Sequence, residues 1–204
     1  MADHPVLHFL ILGHSFITRS DKHLSQTSSD NHLHNFTLPR VSHDVNMQGR
    51  SGAHAGDMFP LFQTCFSYPD VVIIDVGTND LTDGRLPVHT LALPIFNIAR
   101  RLTRFAGVKR VVLMEILPRT TWGRHGAPVS FSRRVTQYNT MLKSLIFQYK
   151  DQVPVTFWFH KGMASNIENF ISDGVHLNSL GMIKYIKSVR RAILKTSRII
   201  RRPT

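Results

Sequence analysis

Three short stretches of the sequence carry side chains that can act together on an acyl carbon. Gly13-His14-Ser15-Phe16 places a hydroxyl directly after an apolar run, and a glycine there allows the sharp turn that exposes it. Gly77-Thr78-Asn79-Asp80 follows a second apolar run and offers a carboxamide whose N–H can donate to a developing oxyanion. Asp173-Gly174-Val175-His176 sets a carboxylate three residues before an imidazole. One turn can then hold both, and the carboxylate can orient the ring and stabilise the imidazolium once it has taken the serine proton.

Each stretch alone has a plainer explanation. Gly-x-Ser triplets are frequent in turns, an asparagine after a strand is commonly a turn or cap residue, and an aspartate before a helix is commonly its cap. The conjunction is what carries weight: nucleophile, oxyanion donor and acid-base pair occur in that order, each just after a strand-like run or just before the last helical segment. Ile17 stands where the Gly-x-Ser-x-Gly elbow of α/β-hydrolases needs its second glycine, which argues against that fold. His32 and His34 can share a strand face, but no HExxH and no cysteine cluster accompanies them, so neither a metal nor another cofactor is expected.

The elements that must position these groups alternate between two periods. Short runs rich in Val and Ile at residues 6–12, 40–46, 71–76, 110–116 and 153–159 predict five strands, the third and fourth (VVIIDV and RVVLMEI) being central. Helical periodicity predicts helices over 53–66, 88–105, 132–149 and 179–197. In the last of these Leu180, Ile183, Ile186, Val189 and Ile193 recur at spacings of three and four, a stripe that should dock on the sheet. Residues 20–35 are polar and turn-rich with only a weak helical pattern, and 118–130 (PRTTWGRHGAPVS) read as an irregular loop. The class is therefore α/β, a parallel sheet between two helical layers, and the alternation favours the flavodoxin-like order 2-1-3-4-5 with the site at the carboxyl ends of the strands. Arg119, Trp122, Arg124 and His125 on the 118–130 loop would favour a polar or anionic substrate if that loop borders the site, although a solvated surface loop explains them equally.

The whole chain of 204 residues, 42% hydrophobic, suits one domain spanning 1–204. Cys65 is the only cysteine, which excludes an internal disulfide and suits a reducing compartment. The apolar run at residues 6–12 is interrupted by His8 and lacks a basic leader, so it reads as a strand rather than a signal peptide and the expected location is cytoplasmic. No run approaches the ~18 apolar residues of a membrane span. Lys and Arg number 25 against 13 Asp and Glu, a net charge of +12, which attracts polyanions. Lys184, Lys187, Arg190, Arg191, Lys195, Arg198, Arg201 and Arg202 lie in one C-terminal stretch without an acidic residue, with a basic tail from about residue 196. Such a stretch is either a solvated helix face or a nucleic-acid contact.

With these residues in place, the sequence resembles the SGNH (GDSL-like) hydrolase superfamily, over nearly the whole chain from Leu10 to the final helix. The resemblance implies an esterase or acyl hydrolase acting on a small-molecule or acylated ester. Ser15 would be its nucleophile and, through its backbone N–H, an oxyanion donor; Asp173 and His176 would complete the triad, and Asn79 would be a further oxyanion donor. Gly52, in Asn46-Met47-Gln48-Gly49-Arg50-Ser51-Gly52, is the second donor the resemblance implies, with Gly49 as the alternative. The chain departs from the family at His14, where an aspartate that helps organise the site is usual; nucleophile, base and oxyanion donors are all retained. A looser similarity is to esterase-like domains carried within animal retrotransposon polyproteins. The competing reading is a weakly active or inactive module of this fold that associates with nucleic acid through its basic surface.

Overall fold

The computed structural model describes residues 5–26, 35–65, 68–82, 84, 86–119, 128–164 and 167–202. Strands β1 (Leu7–Gly13), β2 (His43–Gly49), β3 (Val71–Asp75), β4 (Arg110–Met114) and β5 (Val155–Trp158) form one parallel sheet in the order β2-β1-β3-β4-β5. Helices α1 (Ser15–Gln26), α2 (Met58–Gln63), α3 (Val88–Phe105), α4 (Pro128–Gln148) and α5 (Ser179–Ile200) cover its two faces. The expected class and strand order are both met.

The central strands read as apolar runs because neither face meets water. Successive side chains point to opposite faces. Leu10, Leu12, Val72, Ile74, Val111 and Leu113 pack with α2, α3 and α4, while Phe9, Ile11, Ile73, Val112 and Met114 pack with α1 and α5.

Four boundaries differ from the sequence expectation. The second strand starts at His43 and runs to Gly49, three residues later than predicted, because its register pairs Leu7 with His43 and Gly13 with Gly49. The predicted helix over 53–66 is a 3-10 turn, Ala55–Asp57, followed by α2, which ends at Gln63. The last three residues of the predicted loop 118–130 are the first turn of α4; Trp122, Arg124 and His125 lie outside the described residues, as do His32 and His34. Helix α1 occupies part of the segment read as polar and turn-rich. Its buried stripe is Phe16, Ile17, Ser20 and Leu24, and the serine in that stripe, donating to Met182 Sδ at 3.2 Å, is what breaks the apolar periodicity.

The docking face of α5 also differs. Met182, Tyr185, Val189, Ala192 and Ile193 are buried, whereas Leu180 and Ile183 are 51% and 40% exposed. Two contacts set this rotation. Asn178 caps the helix by accepting the Gly181 N–H at 2.9 Å, and Gly181 lies so close to the Asn169 backbone that a Cβ there would stand 2.1 Å from its carbonyl oxygen. Of the basic residues on this stretch, Lys184 donates to Asn169 Oδ1, Arg190 to the Phe36 carbonyl and Arg201 to the Ser42 carbonyl, and Lys195 lies over the Trp158 ring. Lys187, Arg191, Arg198 and Arg202 are exposed. No helix among the described residues is long and apolar enough to cross a membrane.

Gly181→Ala tests the close approach. In an unconstrained helix the change would stabilise by up to about 1 kcal/mol, but here the clash with Asn169 is expected to reverse the sign and cost about 1–3 kcal/mol, read as a lower urea midpoint at unchanged slope.

Candidate active site

The carboxyl edge of the sheet gathers the chemistry. Strand β1 ends at Gly13, opposite Asp75 of β3, and a Cβ on Gly13 would lie 2.4 Å from the Asp75 carbonyl oxygen. Only glycine lets the two strands end this close, and α1 then begins at once with Ser15. The His14 carbonyl accepts the Ile17 N–H at 3.0 Å, which makes His14 the N-cap residue. Its ring does part of a cap's work as well, with Nδ1 accepting the Phe16 N–H at 3.4 Å. Ser15 therefore sits in the first helical turn, where the helix dipole favours negative charge.

Below the serine is a buried polar cluster. His14 and Asp75 are 3% and 2% exposed, and His14 Nε2 is 3.5 Å from Asp75 Oδ1. The Tyr185 hydroxyl, reaching in from α5, donates to Asp75 Oδ2. Burial pushes the Asp75 carboxyl up, but the adjacent His14 ring, with His160 nearby and the Tyr185 hydrogen bond, holds it below the usual carboxylate value.

Asp173 and His176 meet as expected. His176 Nδ1 is 2.6 Å from Asp173 Oδ2, while Asp173 Oδ1 accepts the backbone N–H groups of Val175 and His176, each at 2.8 Å. Partial burial raises the Asp173 carboxyl, yet these three hydrogen bonds outweigh it and hold the group at about 2. An ionised partner at Nδ1 fixes the neutral ring as the Nδ1–H tautomer, leaving the Nε2 lone pair as the acceptor.

The loops after β2 and β3 are stitched together. Asn79 Nδ2 donates to the Ala53 carbonyl at 2.9 Å, and Asn79 Oδ1 accepts from Arg119 Nη2 at 3.1 Å. The guanidinium can only donate, so it settles which end of the amide is oxygen and leaves the second Nδ2–H for another acceptor. Asp80 accepts the Ala55 N–H at 3.1 Å through Oδ2. Gly52, at the turn between these contacts, has φ +76°, a left-handed conformation that suits glycine. Sequence reasoning missed the roles of Asp75 and Tyr185, for which a lone acid in the apolar run VVIIDV was the one available signal; it named Arg119 as a residue of a loop that could border the site, but not its bond to Asn79.

Ser15, Gly52, Asn79 and His176 line a single cavity of ≈ 370 Å³, and His14 and Arg119 also belong to its lining. The alternative glycine, Gly49, is not part of it; a Cβ there would stand 2.4 Å from Thr18 N of α1, so its smallness serves packing. Among the described residues there is no group of three or more side chains able to hold a metal ion.

The model of the GDSL-like lipase/acylhydrolase family matches residues 12–182. Two similar solved structures are a GDSL-like lipase from Bacteroides thetaiotaomicron (17% identity, 96% of this chain and 93% of that chain covered, TM-score 0.69) and an acetylxylan esterase from Geobacillus stearothermophilus, solved as a serine-to-alanine catalytic mutant (14% identity, 93% and 95% covered, TM-score 0.64). No curated protein sequence is significantly similar to the chain.

The turn at 173–176 should respond to its carboxylate in a graded way. Asp173→Ala is expected to cost about 1 kcal/mol, as loss of a capping oxygen does, and Asp173→Asn less, since an amide oxygen can still accept both N–H groups; thermal unfolding of the two variants measures the difference.

Proposed function

The chain belongs to the GDSL-like lipase/acylhydrolase family, and from that premise we propose that it hydrolyses carboxylic esters through Ser15, His176 and Asp173. The observation that carries this reading is the Asp173 to His176 contact on a cavity that also holds Ser15 and Asn79. In the proposed cycle Ser15 Oγ attacks the ester carbonyl while His176 Nε2 takes its proton, and Asp173 stabilises the resulting imidazolium. The carbonyl oxygen becomes an oxyanion between Ser15 N–H, Gly52 N–H and the second Nδ2–H of Asn79. The tetrahedral centre then expels the alcohol, which takes the proton back from His176, and water hydrolyses the acyl-enzyme by the same base.

Arg119 has two parts in this reading. It holds the Asn79 amide in the donating orientation, and as a cation on the cavity wall it favours a polar or anionic group on the alcohol or acyl side. The serine-to-alanine catalytic mutant of the acetylxylan esterase neighbour supports the choice of nucleophile without specifying the substrate.

A separate proposal concerns the basic face of α5, favoured by Lys187, Arg191, Arg198 and Arg202 standing exposed at helical spacing. A nucleic-acid contact there would weaken steeply with salt, so binding of single-stranded RNA at low salt should be lost when these four are changed to Gln, and absence of binding by the parent protein refutes it. Truncation of α5 would be a poor test, because Ser197 Oγ is bonded to His43 Nε2 at 2.9 Å and its removal would disturb the fold.

The enzymatic reading is tested with short-chain aryl esters. Ser15→Ala and His176→Ala are each expected to lower kcat by on the order of 10³-fold or more, and Asn79→Ala by about 10²–10³-fold, with KM changing far less. Wild-type protein that releases no alcohol from any such ester, or a Ser15→Ala variant as fast as wild type, refutes it.

A further inference from the structure

Ser15 has beside it an imidazole that its family role does not use. His14 Nδ1 lies 3.5 Å from Ser15 Oγ, and its Nε2 lies 3.5 Å from Asp75 Oδ1. Both residues are almost fully enclosed. A carboxylate, an imidazole and a serine hydroxyl therefore follow one another at these separations, and a second carboxylate-imidazole pair, Asp173 with His176, serves the same cavity. Asp75 can only accept when ionised, so the tautomer of His14 that donates to it is the Nε2–H form, whose lone pair on Nδ1 is the one near the serine. That lone pair is shared by two long contacts, the Phe16 N–H at 3.4 Å and the serine hydroxyl, and is committed to neither.

We propose that His14 is a second general base for Ser15, so that the nucleophile is served by two carboxylate-imidazole pairs, Asp173 with His176 and Asp75 with His14. The proposal rests on Ser15 being the nucleophile. In the step it adds, Ser15 Oγ forms a bond to the electrophilic carbon and the carbonyl π pair moves onto oxygen. The hydroxyl proton passes to His14 Nδ1, and the imidazolium so formed is neutralised by Asp75 at its other nitrogen. When the tetrahedral centre collapses, the bond to the alcohol oxygen breaks and that alkoxide takes the proton.

The arrangement is built for this more than for capping alone. A cap needs only an acceptor for the Phe16 N–H, which a small polar side chain supplies. It does not need a buried carboxylate behind the ring, nor the Tyr185 hydroxyl that holds the other oxygen of that carboxylate in place. His160, the other imidazole near Asp75, is pushed down to about 4 by burial and has its Nδ1 engaged with Ser188 Oγ at 2.9 Å. It is therefore neutral near pH 7, and the imidazole nitrogen that faces Asp75, at 3.5 Å, is His14 Nε2. With His176 present, His14 contributes little to turnover, because only one proton is transferred; its contribution appears when His176 is gone.

The test is the rate at which an alkyl fluorophosphonate labels Ser15, a reaction that forms the Oγ–P bond, expels fluoride and needs a base for the serine proton. It compares wild type, Ser15→Ala, His176→Ala, and His176→Ala combined with either His14→Asn or His14→Gln. Asn retains an acceptor for the Phe16 N–H and Gln retains a donor toward Asp75, and neither can take a proton at neutral pH. His176→Ala is expected to keep a slow labelling that depends on Ser15, and either second substitution to lower it by about 10²-fold, the lower end of what a general base contributes. Equal residual rates in the single and double variants, or no Ser15-dependent labelling at all in His176→Ala, overturns the second base while leaving the nucleophile intact. Labelling undiminished in Ser15→Ala overturns both readings together.

Discussion

A carboxylate enclosed at the centre of the molecule sets the terms for everything around it. Asp75 ends β3 at 2% exposure, and an ionised group in such a place costs several kcal/mol unless charge and hydrogen bonds are brought to it. What is brought comes from both helices of one face: His14 at the head of α1 and Tyr185 from the middle of α5. The backbone adds to this, since the Asp75 carbonyl accepts the His14 N–H at 3.2 Å. One side chain thus ties the head of α1, which carries the candidate nucleophile, to the middle of α5. The network continues outward, with His160 Nδ1 and Trp158 Nε1 both meeting Ser188 Oγ and Glu115 accepting the His160 N–H. Removing Asp75 would therefore loosen more than one contact, in the way expected of a fully connected buried polar group.

The part of the cavity lining that comes from the loops after β2 and β3 is organised by different means. Asn79 and Asp80 are adjacent in sequence and each reaches across to the loop after β2, one through a carboxamide to Ala53 and the other through a carboxylate to Ala55. These bonds anchor the loop in which Gly52 has its left-handed φ, just ahead of the 3-10 turn Ala55–Asp57. Arg119 closes the set by fixing the amide orientation. The polar groups facing the cavity are held in place by bonds to other parts of the chain, which is what a site needs if its dipoles are to stabilise charge without reorganising first.

Much of this was legible in the sequence, and for identifiable reasons. Strands buried on both faces cannot hide their composition, so VVIIDV and RVVLMEI marked the centre of the sheet, and the alternation with helical segments implied the strand order. Ser15, Asn79, Asp173 and His176 were recognisable because each follows or precedes an element whose position was already clear. Helix α1 was not, because its buried stripe includes a serine set against a methionine sulfur of α5, a pairing that no apolar period reports. The rotation of α5 was misread because Leu180 and Ile183 complete a plausible stripe, whereas the true face is chosen by the missing Cβ of Gly181 against Asn169. The partnership of His14, Asp75 and Tyr185 spans 110 residues between its carboxylate and its hydroxyl, and no local pattern connects positions so far apart.

That partnership also explains why the departure at His14 is tolerable, and why it is not a neutral exchange. An aspartate at position 14 could accept the Phe16 N–H as readily as an imidazole does, so capping alone gives no preference. Facing Asp75 in a nearly dry site, however, two carboxylates could not both remain ionised, and one would be driven to hold a proton. The imidazole avoids this because it can donate at one nitrogen while accepting at the other, satisfying the buried charge and the helix terminus together. Replacing His14 alone would leave the buried Asp75 carboxylate without the imidazole that faces it, beside the serine.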